Sequence, residues 1–140
     1  MLPLDSQISY RLLIALVLGL AIGLERELNK SPAGLKTHTL VSLGSALFTV
    51  GSLAIDTRIA AGIITGIGFI GAGVIWKNEK GIGGLTTAAT LWMCAAIGFI
   101  VGIGFWRTGI LATVLVLFVL VPVEYLERRY VRRVAEKKKR

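Results

Sequence analysis

The residues of this chain that can do acid–base or ligand chemistry are few, and they lie at the edges of apolar stretches. Glu25-Arg26-Glu27 closes the first such stretch and Lys36-Thr37-His38 opens the second. Thr86 and Thr87 stand near the start of the fourth, where hydroxyl side chains suit helix capping. Asp56 and Arg58 lie between the second and third. Carboxylates at the C-terminal end of a helix oppose its dipole unless paired, so Glu25 and Glu27 call for cations, and Arg26, Lys30 and Lys36 are near in sequence. Asp56 and Arg58 are spaced for a local ion pair.

These groups do not make a catalytic set. There is one histidine, His38, and one cysteine, Cys94, the latter inside an apolar stretch. That excludes a disulfide framework within the chain and a multi-cysteine metal site, and leaves no nucleophile–base–acid arrangement. A Mg²⁺ site would use one or two carboxylates and retained waters, for which Asp56 and Glu25 are the candidates. No acid falls in the middle of an apolar stretch, where a cation path would ordinarily mark itself. Gly66-x-Gly68-x-x-Gly71 matches a dinucleotide fingerprint as a string, but it sits inside a continuous apolar run rather than between a strand and a soluble helix. Thr90 and Cys94 read as packing positions. No cofactor is expected.

The elements that position these groups are apolar helices. Hydrophobic residues make up 54% of the 140, charged residues only 17%, and mean hydropathy is +0.74. A membrane span needs about 20 mostly apolar residues. Five segments fit, at about 8–24, 37–55, 59–76, 85–103 and 105–123. The expected fold is all-α, an integral membrane bundle of five transmembrane helices forming one domain over 1–123, with a basic tail over 124–140. The stretch from Ala61 to Trp92, two glycine- and threonine-rich spans joined by a short polar link, reads as the packed centre of that bundle. On a helix Gly62, Gly66 and Gly73 share one face and Gly68 and Gly71 another, so the third span has two thin faces that neighbours or a second copy can approach closely. The same small-residue spacing recurs at Gly19 and Gly23 and at Gly98 and Gly102. Trp92 reads as a packing residue, and Tyr10, Trp76, Trp106 and Tyr125 as interfacial aromatics.

Charge sets the orientation. Of 16 basic residues, 13 follow the first, third and fifth spans, and three (Arg11, Arg58 and Arg107) lie on the other side. The positive-inside rule then puts the N-terminus outside and the tail in the cytoplasm. Glu25, Arg26, Glu27, Lys36, Thr37, His38, Thr86 and Thr87 thereby converge at the cytoplasmic face, and Asp56 and Arg58 lie opposite. The run from Ile8 lacks a basic leader and is read as a retained first helix rather than a cleaved signal. The tail, with Tyr125, Leu126, Tyr130, Val131 and Val134 at amphipathic spacing, reads as an anchor to anionic lipid. It has no aromatic-interleaved platform for nucleic acid.

Five strings in order, GLERE (23–27), GLKTH (34–38), D-x-R (56–58), GIGFIGAGVI (66–75) and GLTTAATLW (84–92), resemble the transmembrane domain of the MgtC/SapB/YhiD family. The resemblance spans the first four helices. It implies a multi-pass protein of the bacterial inner membrane, linked to growth at low Mg²⁺ and to virulence, and acting as a non-enzymatic regulator. In that family inhibition of the F-type ATP synthase is one such action, and Mg²⁺ transport is the older reading. Many members carry a further cytoplasmic domain, so the chain is expected to be either a short SapB-like member or a piece of a longer one. The partners expected are membrane lipid, a second copy in a homodimer, and another membrane complex.

Overall fold

The computed structural model describes residues 6–56, 58–79, 81–126 and 129–130. Among them are five α-helices and one short hairpin: α1 (Ser6–Leu28), α2 (Leu35–Ala54), α3 (Arg58–Gly73), β1 (Trp76–Asn78), β2 (Gly81–Gly83), α4 (Leu85–Ile103) and α5 (Trp106–Phe118). A π-helical turn, Val119–Val123, extends α5 and contains Pro122, whose missing N–H interrupts the regular hydrogen-bond ladder. By length and composition α1, α4 and the continuous helix Trp106–Leu126 can cross a membrane. In α2 the apolar run is diluted by Ser, Thr and His, and the apolar part of α3 is the shorter stretch Ala61–Gly73. The tail residues Glu127, Arg128 and 131–140, with the amphipathic positions Val131 and Val134, lie outside the described residues, as do Thr57 and Lys80.

The centre of the bundle is α2 together with α4, so of the α3–α4 pair that the glycine content points to only α4 is central. Along α2 the buried residues are His38, Ser42, Ser45, Thr49 and Ser52 with the small Ala46, while Leu40, Leu47, Phe48 and Leu53 are exposed. The polar positions repeat at alternating steps of four and three, which is one helix face. This is the reverse of a soluble amphipathic helix: hydroxyls inside, large apolar side chains outside. The other helices also expose bulk, with Leu13, Val17, Phe69, Leu111 and Phe118 all more than half accessible. Contiguous apolar surface on this scale fits a lipid environment.

Two glycine pairs bring α1 and α4 against that polar face. A Cβ added at Gly19 would lie 2.8 Å from the Ser42 Cβ, and one at Gly23 would lie 2.9 Å from the Leu35 Cα. On the other flank a Cβ at Gly102 would lie 2.7 Å from the Thr49 Cβ, and one at Gly98 would overlap the Ser42 carbonyl. Backbones this close let short side chains bond across helices. Ser42 Oγ donates to the Ala15 carbonyl at 2.7 Å and Ser45 Oγ to the Ala95 carbonyl at 2.6 Å. The apolar remainder of the core, Leu18 and Ile22 of α1, Cys94, Ile97 and Val101 of α4, and Leu120 after α5, closes around this seam.

The α3 helix is peripheral. It seats Ile67 against Leu91 and Ala95 and brings Gly71 within ordinary contact distance (3.7 Å) of Ala88, but Gly62, Gly66, Gly68 and Gly73 have nothing within 4 Å of a Cβ position. Trp92 on α4 is half-exposed instead of packed inside. The polar link after α3 is an antiparallel hairpin pairing Trp76 with Gly83 and Asn78 with Gly81. Gly84 then caps α4 in the left-handed region (φ 84°) with no side-chain cap, so neither Thr86 nor Thr87 serves as the N-cap. The α4–α5 turn falls where the Gly102–Gly104 sequence places it. Gly104 is left-handed (φ 116°), its amide bonds to Val101 O, and the Phe105 amide bonds to Ile100 O, the paired closure of a Schellman motif.

Candidate functional site

One end of the bundle collects the ends of α1 and α5 and the starts of α2 and α4. Arg26, at the last turn of α1, is only 5% exposed, and its guanidinium forks onto the Glu25 carboxylate through Nε and through Nη2, the latter at 2.8 Å. Such a fork is the strong geometry for an ion pair, and burial makes it costly to break. Asn29 Nδ2 donates to Glu25 Oε1 at 2.6 Å, so both oxygens of that carboxylate are engaged. Arg26 also reaches Glu124 at 3.4 Å, which ties α1 to the turn after Pro122.

The neighbouring acid has a different task. Glu27 Oε2 accepts the Leu35 amide at 2.9 Å, so a carboxylate from α1 satisfies the first free N–H of α2, where the helix dipole favours negative charge. A side chain at Gly34 would overlap that carboxylate.

His38 is fully buried one turn into α2. Its Nδ1 lies 2.9 Å from the Gly34 carbonyl and its Nε2 lies 3.0 Å from Thr90 Oγ1 on α4. A carbonyl only accepts, so Nδ1 carries the proton of the neutral ring. Nε2 then accepts, so the single Thr90 hydroxyl proton is shared between it and Thr87 O at 2.9 Å, and the Thr87 and Ser31 hydroxyls meet at 2.8 Å. The loop after α1, the start of α2 and the first turns of α4 are thus joined by one chain of hydrogen bonds.

The structure therefore gathers these residues at one end of the bundle in two clusters, Glu25 and Arg26 with Asn29 and Glu124, and His38 and Thr87 with Ser31 and Thr90. The signal for Thr90 was its step of three from Thr87, which puts both on one helix face. Asn29, Ser31 and Glu124 carry no comparable pattern. Lys36 and Thr37 turn away and line a groove between α2 and α3, and Thr86 is exposed. Glu27 is bound to the α2 terminus.

At the opposite end, Asp56 Oδ1 accepts the Arg58 amide at 2.8 Å, so the contact between these residues is a helix-starting cap rather than a side-chain ion pair. Both ion pairs among the described residues belong to Arg26. Arg11, at the start of α1, donates to Gly102 O at 3.0 Å, and Tyr10 meets the Trp106 ring edge-on at 6.3 Å. Glu25 and Asp56 are at opposite ends of the bundle and share no site. Among the described residues no three His, Cys, Asp or Glu side chains come together as a metal site.

The sequence profile of the MgtC family matches residues 12–129. YhiD of Escherichia coli strain K12, whose name carries a provisional magnesium-transporter label, is 42% identical over 84% of this chain and 60% of its own length. SrpB of Synechococcus elongatus is 36% identical over 86% of this chain and 77% of its own. MgtC of Salmonella typhimurium strain LT2 is 44% identical over 76% of this chain and 48% of its own. The chain thus spans about half to three-fifths of YhiD and MgtC. No solved structure matches it significantly.

Proposed function

The chain belongs to the MgtC family, and on that footing we propose that it is a non-enzymatic protein of the bacterial inner membrane that acts by helix–helix association through α3. Its five helices all cross the bilayer, with the N-terminus outside and the basic tail in the cytoplasm. The observation that carries this reading is the outer face of α3. Ala61, Thr65, Gly68 and Ala72 are all exposed, follow one another at steps of four, three and four, and leave open space at Gly68. In lipid there is no hydrophobic force between helices, and small-residue faces are how they approach closely. A second copy of the chain is the first partner, and a larger membrane complex such as the F-type ATP synthase is another.

Adaptation to low Mg²⁺ is the physiological setting, and virulence goes with it in pathogens. Cation transport is the alternative, favoured by the label on the YhiD relative. Against it, the polar seam through the bundle is closed by glycine contacts, and every buried side-chain N or O among the described residues has a hydrogen-bond partner. A sealed, satisfied seam offers an ion neither space nor free ligands.

The test is complementation of a strain that fails to grow at low Mg²⁺. Gly68→Leu inserts and folds but does not restore growth, while purified wild-type protein in liposomes passes no more Mg²⁺ than empty liposomes. Normal growth with Gly68→Leu would remove α3 from the mechanism. Protein-dependent Mg²⁺ flux would establish transport.

A further inference from the structure

The α2–α3 groove is a second surface, distinct from the outer stripe of α3. It has a volume of about 700 Å³ and its floor is Ala95 of α4. Leu40, Gly44 and Phe48 form one wall and Gly62, Gly66 and Ile70 the other. Gly44, Gly62 and Gly66 all face open space, so the two helices stand apart along this length. Ser45 also lines it, but its hydroxyl is committed to the Ala95 carbonyl. The charged residue on the lining is Lys36, with Thr37 beside it. Lys36 is exposed, and neither ion pair of the described residues involves it.

We propose that this groove binds one acyl chain of an anionic phospholipid, with the headgroup phosphate on Lys36. The geometry is that of such a molecule: a uniformly apolar channel with one cation at its end. Lys36 lies in the first turn of α2, where a spanning helix meets the headgroups. From Lys36 to Phe48 the helix rises roughly 18 Å at about 1.5 Å per residue. One leaflet of a hydrocarbon core about 30 Å thick is roughly 15 Å deep. Along α2 the groove therefore runs from headgroup level to about the midplane, the path of one chain in the leaflet on the Lys36 side, and on α3 its lining continues to Ile59. A second copy in the same orientation would bring Glu25 and Glu27 to the level of Lys36, but these are committed to Arg26 and to the Leu35 amide, whereas a phospholipid phosphate there is free to meet Lys36.

The experiment is native mass spectrometry of the purified full chain after exposure to equal amounts of dioleoylphosphatidylglycerol and dioleoylphosphatidylcholine. The wild type retains one phosphatidylglycerol per chain, preferred about fivefold, as a single basic residue near an anionic headgroup gives. Lys36→Gln brings the ratio to about one by reducing phosphatidylglycerol more than zwitterionic phosphatidylcholine. Gly62→Phe, which fills the groove, loses both lipids while keeping wild-type helicity. If Gly62→Phe does not fold, the Lys36→Gln ratio decides alone. Equal retention by the wild type, a preference that survives Lys36→Gln, or lipid retention unchanged in folded Gly62→Phe overturns the proposal. So does a wild-type dimer that Gly62→Phe converts to a lipid-free monomer, which would make a second copy the occupant.

Discussion

Glu25 and Arg26 are adjacent in sequence, yet their pairing is a tertiary event: both are buried, and Asn29 and Glu124 complete the shell. Removing one member strands a charge, whereas removing both does not. Arg26→Ala should therefore cost about 3–5 kcal/mol, and Glu25→Ala/Arg26→Ala should recover much of it, a non-additivity that reversible unfolding in mixed micelles measures. A loss under about 1 kcal/mol for Arg26→Ala would mean the pair is hydrated and the network is not an interior one. The sequence marked Glu25, Arg26 and His38 as polar groups at the end of a span. It did not mark their depth, because an adjacent acid and base read equally well as a solvated helix end. Nor did it separate Glu25 from Glu27, which face different neighbours: one holds an arginine, the other the first amide of α2.

At the scale of the helix, identical glycines have opposite meanings. Gly98 touches the α2 backbone, and Gly62 touches nothing. Glycine to alanine gains about 1 kcal/mol of helix propensity wherever the methyl fits. Gly62→Ala should thus be neutral or stabilising, while Gly98→Ala should be destabilising, since its methyl would overlap the Ser42 carbonyl. Unfolding of the two variants side by side reads the sign; the same sign for both would contradict the packing described. The sequence showed that these helices are thin, and it placed the α4–α5 turn correctly. It placed α4 at the centre correctly but gave it α3 instead of α2 as its partner, because glycine content says where close approach is allowed and not where it happens. The better signal lay in α2, where His38, Ser42, Ser45, Thr49 and Ser52 share one face. In a membrane the polar face points inward, so the rule used for soluble helices has to be inverted. The hairpin Trp76–Gly83 was illegible for a different reason: strands of three residues, here Trp-Lys-Asn and Gly-Ile-Gly, are too short to carry a periodicity.

For the whole molecule, the five ordered strings were enough to place the chain in its family, and the helices α1 to α5 overlap the five segments expected. What composition could not convey is the division of labour. A core of α1, α2, α4 and α5 holds the two polar clusters, and α3 lies outside it with two open faces, one toward the groove and one away from the bundle. That division makes α3 the element available to a partner. Its most direct test is disulfide crosslinking in native membranes. Cys94 is the one cysteine of the chain and is buried, so Cys94→Ala gives a clean background. Gly68→Cys in that background should form a crosslinked dimer on mild oxidation, and Gly98→Cys, facing α2 inside the bundle, should not. A Gly68→Cys chain that stays monomeric under oxidation while still supporting growth at low Mg²⁺ would contradict association through α3.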